Sequence, residues 1–446
     1  MKLSYASFLI ISILTLTFES CTSFFVNKEK DFVKVIGTHF VLDGKTYYFL
    51  GANFWYATYL GASGELGDRA RLILELNHLK SMGITNLRIL GASQSSYIKN
   101  MLTPAIQAKP YEYNENLLEG LDFLLSEMQK RGMKAVIFLN NNWEWSGGMS
   151  QFNDWSVDSS GFTPPYPGKN NDNFMDYSNS FYRNENAKEI YFHYLYSLIN
   201  RKNKYSGYYY YEDPAIMAWQ LSNEPRPGSG KEGAKWLDEY YRWIDVSARF
   251  IHKLDPNHLV SSGSEGLAGS LDSAEVYKTA HSSKYIDYLT FHLWPYDWGW
   301  YKPNNVDSTY PAAKIKSISY IDSHIQLARE LGKPVVMEEF GLPRDSGLIN
   351  FGSPTTVKDK FFKKILSLVV DSALSGSPIA GANFWIWGGE GSPNIFNYKW
   401  GFGNPLKGVD NFNSIYYSDT STIEIFKQYA GKLNAIKNDL PEAVTK

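Results

Sequence analysis

The run Ala218-Trp219-Gln220-Leu221-Ser222-Asn223-Glu224-Pro225-Arg226-Pro227-Gly228 decides how the rest of the chain is read. Its first half is an apolar strand, and Asn-Glu-Pro stops that strand with a carboxylate where a loop begins. Pro334-Val335-Val336-Met337 ends in a similar way, in Glu338-Glu339-Phe340-Gly341. In a barrel of parallel strands both ends open on the same face.

Outward from these two runs, helical patterns that stop at glycine hand over repeatedly to an apolar strand. Asn116 to Arg131 places Leu117, Leu121, Leu124, Leu125 and Met128 at helical spacing, stops at Gly132 and yields Met133 to Leu139. Gly83, Gly332 and Gly376 mark the same handover before Asn86–Leu90, Pro334–Met337 and Gly381–Trp387. Tyr47–Phe54, Ile216–Leu221, Leu259–Gly263 and Tyr288–Leu293 complete eight expected strands. Further helices are expected over Asp68–Met82, Glu185–Lys202, Lys231–Leu254, Ser317–Leu331 and Thr356–Ser375. Strands that are apolar throughout and alternate with helices predict an α/β chain closed as a (β/α)8 TIM barrel, one domain over residues 32–440. Val33 to Phe49, turning at Asp43-Gly44, reads as an N-terminal β-hairpin that plugs the barrel floor. The stretch Ser146 to Tyr182, rich in Gly, Pro, Asn, Asp and aromatics, reads as an extended βα loop walling a cleft.

Composition narrows the partners. The net charge is −2 over 446 residues, without any Lys/Arg block, so neither nucleic acid nor an anionic membrane surface is indicated. Aromatics make up 16% of the chain, with 13 Trp and 32 Tyr, many beside Gly, Pro and Asn where pockets form and sugar rings stack. Lys2 precedes an apolar run, Phe8 to Phe18, too short to span a bilayer, so residues 1–20 read as a signal peptide. Cys21 is the only cysteine, which excludes an internal disulfide. The segment resembles a bacterial lipoprotein signal with Cys21 as the lipidated first residue; an ordinary export signal is the competing reading. Either way the mature chain is expected outside the cytoplasm, in the cell envelope or secreted, and as a monomer.

Two glutamates at strand ends are what acid/base-plus-nucleophile cleavage of a sugar acetal requires. Glu224 would protonate the leaving oxygen and then deprotonate water, while Asn223 donates to the sugar 2-hydroxyl. Side chains alternate along a strand, so only one of Glu338 and Glu339 is expected in the barrel mouth, and alternation alone does not choose. The nucleophile must stay ionised, which calls for a permanent cation nearby. Arg88, among the apolar residues of strand two, suits that role, because an arginine there is costly without a carboxylate partner. A purely structural ion pair is the bland alternative.

His292 and Trp294 share a face at the end of strand six, as do Trp385 and Trp387 at the end of strand eight, one as a floor for the sugar and the other as core. Trp55, Trp143, Trp145 and Trp298 follow strands one, three, three and six and are candidates for further sugar subsites. There is no His-Glu-x-x-His, no paired Cys and no phosphate-cradling glycine loop, and the eight His are scattered. No metal, nucleotide or other cofactor is called for.

Taken together these residues resemble glycoside hydrolase family 5, and within it the endo-β-1,4-mannanases, from about Phe32 to the region of Lys427. The most specific parts are the AWQLSNEPR run at 218–226 and Trp143-Glu144-Trp145-Ser146-Gly147-Gly148-Met149 after strand three. The likeness implies retaining hydrolysis of internal mannosidic bonds in mannan, glucomannan or galactomannan. It implies Glu224 as acid/base and Glu339, directly before Phe-Gly, as nucleophile. Arg88, Asn223, His292 and Trp385 fall on the family's sugar-binding positions beside the scissile bond, and Arg226 on a leaving-group-side contact. Many members carry Tyr two residues after this His and hydrogen-bond the nucleophile with it. This chain has Trp294 there, whose indole donates with a different reach. The rivals are another β-glycanase or an exo-mannosidase on the same scaffold, and a surface lipoprotein that binds glycan without cleaving it.

Overall fold

The computed structural model describes residues 32–98, 101–157, 172–348, 352–390 and 413–438. The expected signal peptide with Cys21 lies outside the described residues, as does the middle of the expected loop wall. Eight parallel strands form the centre: β1 (Phe49–Asn53), β2 (Asn86–Leu90), β3 (Lys134–Phe138), β4 (Ile216–Gln220), β5 (Leu259–Ser261), β6 (Leu289–Leu293), β7 (Val335–Phe340) and β8 (Ile379–Phe384). They run in the order β5-β4-β3-β2-β1-β8-β7-β6. The seam between β5 and β6 is closed by single hydrogen bonds, Asp287 N–H to the Val260 carbonyl (2.8 Å) and His292 N–H to the Glu265 carbonyl (3.0 Å). All but one of the residues of these strands are buried, which explains their continuous apolar character.

Around the strands lie α1 (Arg69–Ser81), α2 (Glu115–Lys130), α3 (Glu185–Ile199), α4 (Leu237–Leu254), α5 (Ala274–His281), α6 (Val306–Leu331), α7 (Thr356–Leu374) and α8 (Thr420–Ala435). The chain is a (β/α)8 barrel. Side chains supply several helix starts: Asn114 accepts from Leu117 N–H and Asn184 from Ala187 N–H, satisfying donors that have no partner inside the helix. Gly332, at φ 65°, ends α6 in the left-handed conformation that its place after the helix predicted.

Three differences from the sequence reading have local causes. α6 begins at Val306 rather than Ser317, because Pro311 in its second turn removes one backbone hydrogen bond without stopping the helix. The eight-residue α5, capped by Ser273, is too short to give a clear apolar period. The N-terminal hairpin is three-stranded (Lys34–Ile36, His39–Leu42, Lys45–Thr46), with its second turn at Asp43 (φ 53°) and Gly44 (φ 76°). It does plug the floor: Val33 and Phe40 pack with Phe49, Val136, Met217, Tyr288 and Val336 in a cluster separate from the main core.

Candidate active site

The carboxyl ends of β2, β4, β6 and β7 bring Arg88, Glu224, His292 and Glu339 to one place, although these residues are far apart in sequence. Glu224 follows β4 with φ at 48°, a left-handed conformation rare for a non-glycine residue and worth ~1–3 kcal/mol of strain. Neighbouring strands hold it there. Glu224 N–H donates to the Gly263 carbonyl (2.9 Å), Asn223 N–H to Asn140 (2.8 Å), and Asn142 N–H to the Asn223 carbonyl (2.9 Å). The Tyr240 hydroxyl donates to the Pro225 carbonyl behind them (3.2 Å).

The two glutamates face each other across His292. Its Nδ1 lies 2.6 Å from Glu224 Oε1 and 3.3 Å from Glu339 Oε2. One oxygen from each carboxylate and the imidazole nitrogen all fall within 4.8 Å of one another. Arg88 Nη1 donates directly to Glu339 Oε1, so positive charge at this point comes from the protein itself, and the set is organised for acid–base chemistry. Arg88 is fully buried, and three further N–H groups are directed: Nε to Gln220 Oε1 (2.8 Å), Nη1 also to Asn53 Oδ1 (3.2 Å), Nη2 to Asn223 Oδ1 (2.8 Å). The ion pair that an arginine in an apolar strand demands is therefore present, and its partner lies in the barrel mouth.

Of Glu338 and Glu339 only Glu339 reaches the barrel mouth, as expected, and Glu338 is a buried carboxylate behind it; the strict alternation behind that expectation does not hold here. Phe291 pairs with Met337 but the next residue, His292, pairs with Glu339, so β7 carries an extra residue at this step. Such a bulge breaks the alternation and lets two successive side chains serve one side of the sheet. Glu338 is buried beside Glu339, accepting from Gln220 Nε2 (2.5 Å) with Arg88 Nε at 3.7 Å.

Burial raises Glu339 to about 7, against the pull of His292 and Arg88. Burial also pushes Glu224 upward, but the hydrogen bond and charge of His292, then Arg226 and the Trp143 indole, outweigh it and bring Glu224 down to about 2. The two carboxyls titrate as a pair that shares one proton. Moving it to Glu224 gives an acid facing an ionised nucleophile with no change in the number of bound protons. His292, in reach of both carboxylates, is placed to follow that move.

The aromatic candidates divide. Trp143 Nε1 donates to Glu224 Oε2 (2.5 Å), and its ring parallels Phe174 with the Arg226 guanidinium 5.2 Å from its centroid. Trp385 lies at the mouth, with Trp294 edge-on to it at 6.2 Å. Trp294 therefore contributes packing beside the site, while the nucleophile takes its hydrogen bond from Arg88. Trp298 Nε1 donates to Glu265 (3.2 Å), which pairs with Arg226 on the Glu224 side of the cleft.

Two expected sugar contacts are not made. Trp387 is fully buried and donates to Glu75 of α1 (2.9 Å), because β8 ends at Phe384 and the face assumed to continue past it does not. Trp55 is 2% exposed and packs against Trp145, Tyr56 and Tyr59. Sequence reasoning missed Gln220, Asn53 and Glu265. Gln220 stood in the opening motif, and Glu265 follows β5 as an acid near a strand end, a signal available but not used.

Comparison with known proteins agrees with this geometry. The family model described as GH family 5 beta-mannosidase-like matches residues 30–438. An Arabidopsis thaliana relative named mannan endo-1,4-beta-mannosidase 7 is 28% identical, over 91% of this chain and 86% of its own. The crystal structure of a glycoside hydrolase family 5 mannosidase from Rhizomucor miehei superposes with a TM-score of 0.82 at 34% identity, covering 92% of this chain and 99% of that one. The endo-beta-1,4-mannanase from Thermotoga petrophila gives 0.62 at 27% identity, covering 87% and 77%. This chain belongs to glycoside hydrolase family 5, in its β-mannosidase-like group.

Proposed function

We propose that the protein is an endo-acting, retaining β-mannanase that cleaves internal β-1,4-mannosidic bonds in mannan, glucomannan or galactomannan. The observation that carries this reading is the pair Glu224 and Glu339 with carboxylate oxygens within 4.8 Å. Carboxyl groups ~5–5.5 Å apart belong to double displacement, and ~6.5–9.5 Å to inversion. Glu339 attacks the anomeric carbon while Glu224 protonates the departing oxygen; Glu224 then deprotonates water, which releases the mannosyl group. Arg88 holds Glu339 in line, Asn223 binds beside the 2-hydroxyl, and Trp385 stacks on the sugar. Arg226, Trp143 and Trp298 line the leaving-group side. The substrate follows from relatives such as the mannan endo-1,4-beta-mannosidases.

An exo-acting mannosidase is the second reading, favoured by the higher similarity to the Rhizomucor miehei mannosidase than to the Thermotoga petrophila endo-mannanase. Digestion of mannan, glucomannan, galactomannan, cellulose and defined manno-oligosaccharides separates the two. A ladder of short oligosaccharides is expected from the β-mannans and little from cellulose; release of mannose alone would overturn endo action. Export with a lipid anchor at Cys21 is part of the same proposal. Cys21→Ser should move the protein from the membrane to the soluble fraction, and an unchanged distribution would contradict it.

A further inference from the structure

Glu338 has no part in the displacement itself, yet it is a fully enclosed carboxyl next in sequence to the nucleophile. The bulge in β7 turns it inward, and the structure ties it to Arg88 by two routes. Through its side chain, Gln220 donates to Glu338 Oε2 (2.5 Å) while accepting from Arg88 Nε (2.8 Å). Through its backbone, the Glu338 carbonyl accepts from Asn53 Nδ2 (2.8 Å), and Asn53 Oδ1 accepts from Arg88 Nη1 (3.2 Å). The Tyr288 hydroxyl, from the floor cluster, lies 3.4 Å from Glu338 Oε1. Both carboxyl oxygens therefore meet hydrogen-bond partners.

We infer that Glu338 is a positioning residue whose carboxylate shares the charge of Arg88 with Glu339, so that the nucleophile is held in place without being over-neutralised. A carboxylate that had Arg88 to itself would be less basic, and the proton shared by Glu224 and Glu339 would leave at lower pH. The charged and titratable groups around Glu338 are Arg88 of β2, Tyr288 and His292 at β6, Tyr277 of α5 and Glu339 itself. Burial pushes Glu338 above the ordinary carboxylate range, opposed by Arg88, His292, Gln220 and Tyr288.

The inference rests on the retaining-hydrolase reading, and its test is the pH dependence of kcat/KM on β-mannan. Wild-type turnover tests the reading; the position of the limbs tests the inference. For the wild type the alkaline limb is expected near 7, where the shared proton leaves, and the acid limb below the ordinary carboxyl range. Glu338→Gln keeps the shape and the Gln220 hydrogen bond but removes the charge. It should move both limbs to lower pH, the alkaline one by roughly one pH unit, the scale of a like-charge coupling a few ångströms away in a protein interior. Glu338→Asp keeps the charge and should restore the wild-type alkaline limb. Tyr288→Phe removes a donor to Glu338 and should shift the limb in the same direction by less; it decides the matter if Glu338→Gln does not fold. A profile that superimposes on the wild type, or moves upward, overturns the inference, since a merely structural carboxyl would change stability or kcat and leave the limbs in place.

Discussion

Glu339→Ala is expected to lower kcat on β-mannan by at least roughly ten-thousand-fold, the scale seen when a covalent nucleophile is removed, while the folded state survives. The reason is geometric. Glu339 is the carboxyl held by Arg88 in the barrel mouth and faced by Glu224 through His292. Glu338 is no substitute, because Gln220 and Tyr288 hold its carboxyl away from the mouth, above the floor cluster. Turnover on mannan together with far-ultraviolet circular dichroism checks the result. A folded variant that cleaves at a near-normal rate would contradict the assignment.

Arg88→Met is the second large effect, and it falls on stability as well as on rate. The guanidinium is fully buried and directs N–H groups to Gln220, Asn53, Asn223 and Glu339. Methionine fills much of the volume but leaves Glu338 and Glu339 without their permanent cation, and breaking a buried pair from one side costs about 3–5 kcal/mol. The sign of the pH dependence follows. Without Arg88 both carboxyls have folded pKa values raised above their unfolded ones, so the stability they contribute is present below the unfolded value and lost as pH rises. Denaturant midpoints should therefore fall below wild type by more at pH 8 than at pH 5. Equal stability of the two proteins at both pH values would show that Arg88 does not neutralise this pair.

The parts of the site that were legible in the sequence are those that one strand end announces by itself. Asn223-Glu224-Pro225 stops β4, Glu339-Phe340-Gly341 closes β7, and Arg88 stands out as a charge in an apolar run. What was not legible depends on relations between strands. The bulge that turns Glu338 inward is a matter of register against β6, invisible in a period-two reading of β7 alone. Trp387 was misplaced because the end of β8 at Phe384 is set by pairing, after which Trp387 swings toward Glu75 of α1. Trp55 was misplaced for a different reason: it follows β1, but its ring is buried against Trp145, Tyr56 and Tyr59. The Arg226–Glu265 pair joins β4 to β5 across a loop, and no local pattern links the two residues.

The most direct measurement is to trap the glycosyl-enzyme. A fluorinated β-mannoside with a good leaving group should slow the second displacement more than the first, so the intermediate accumulates, and peptide mass spectrometry then locates the sugar. One mannosyl-derived adduct per chain on the carboxyl of Glu339, absent in Glu339→Ala, is the result this mechanism predicts. An adduct on Glu338 or Glu224, or hydrolysis with inverted anomeric configuration and no adduct at all, would contradict it.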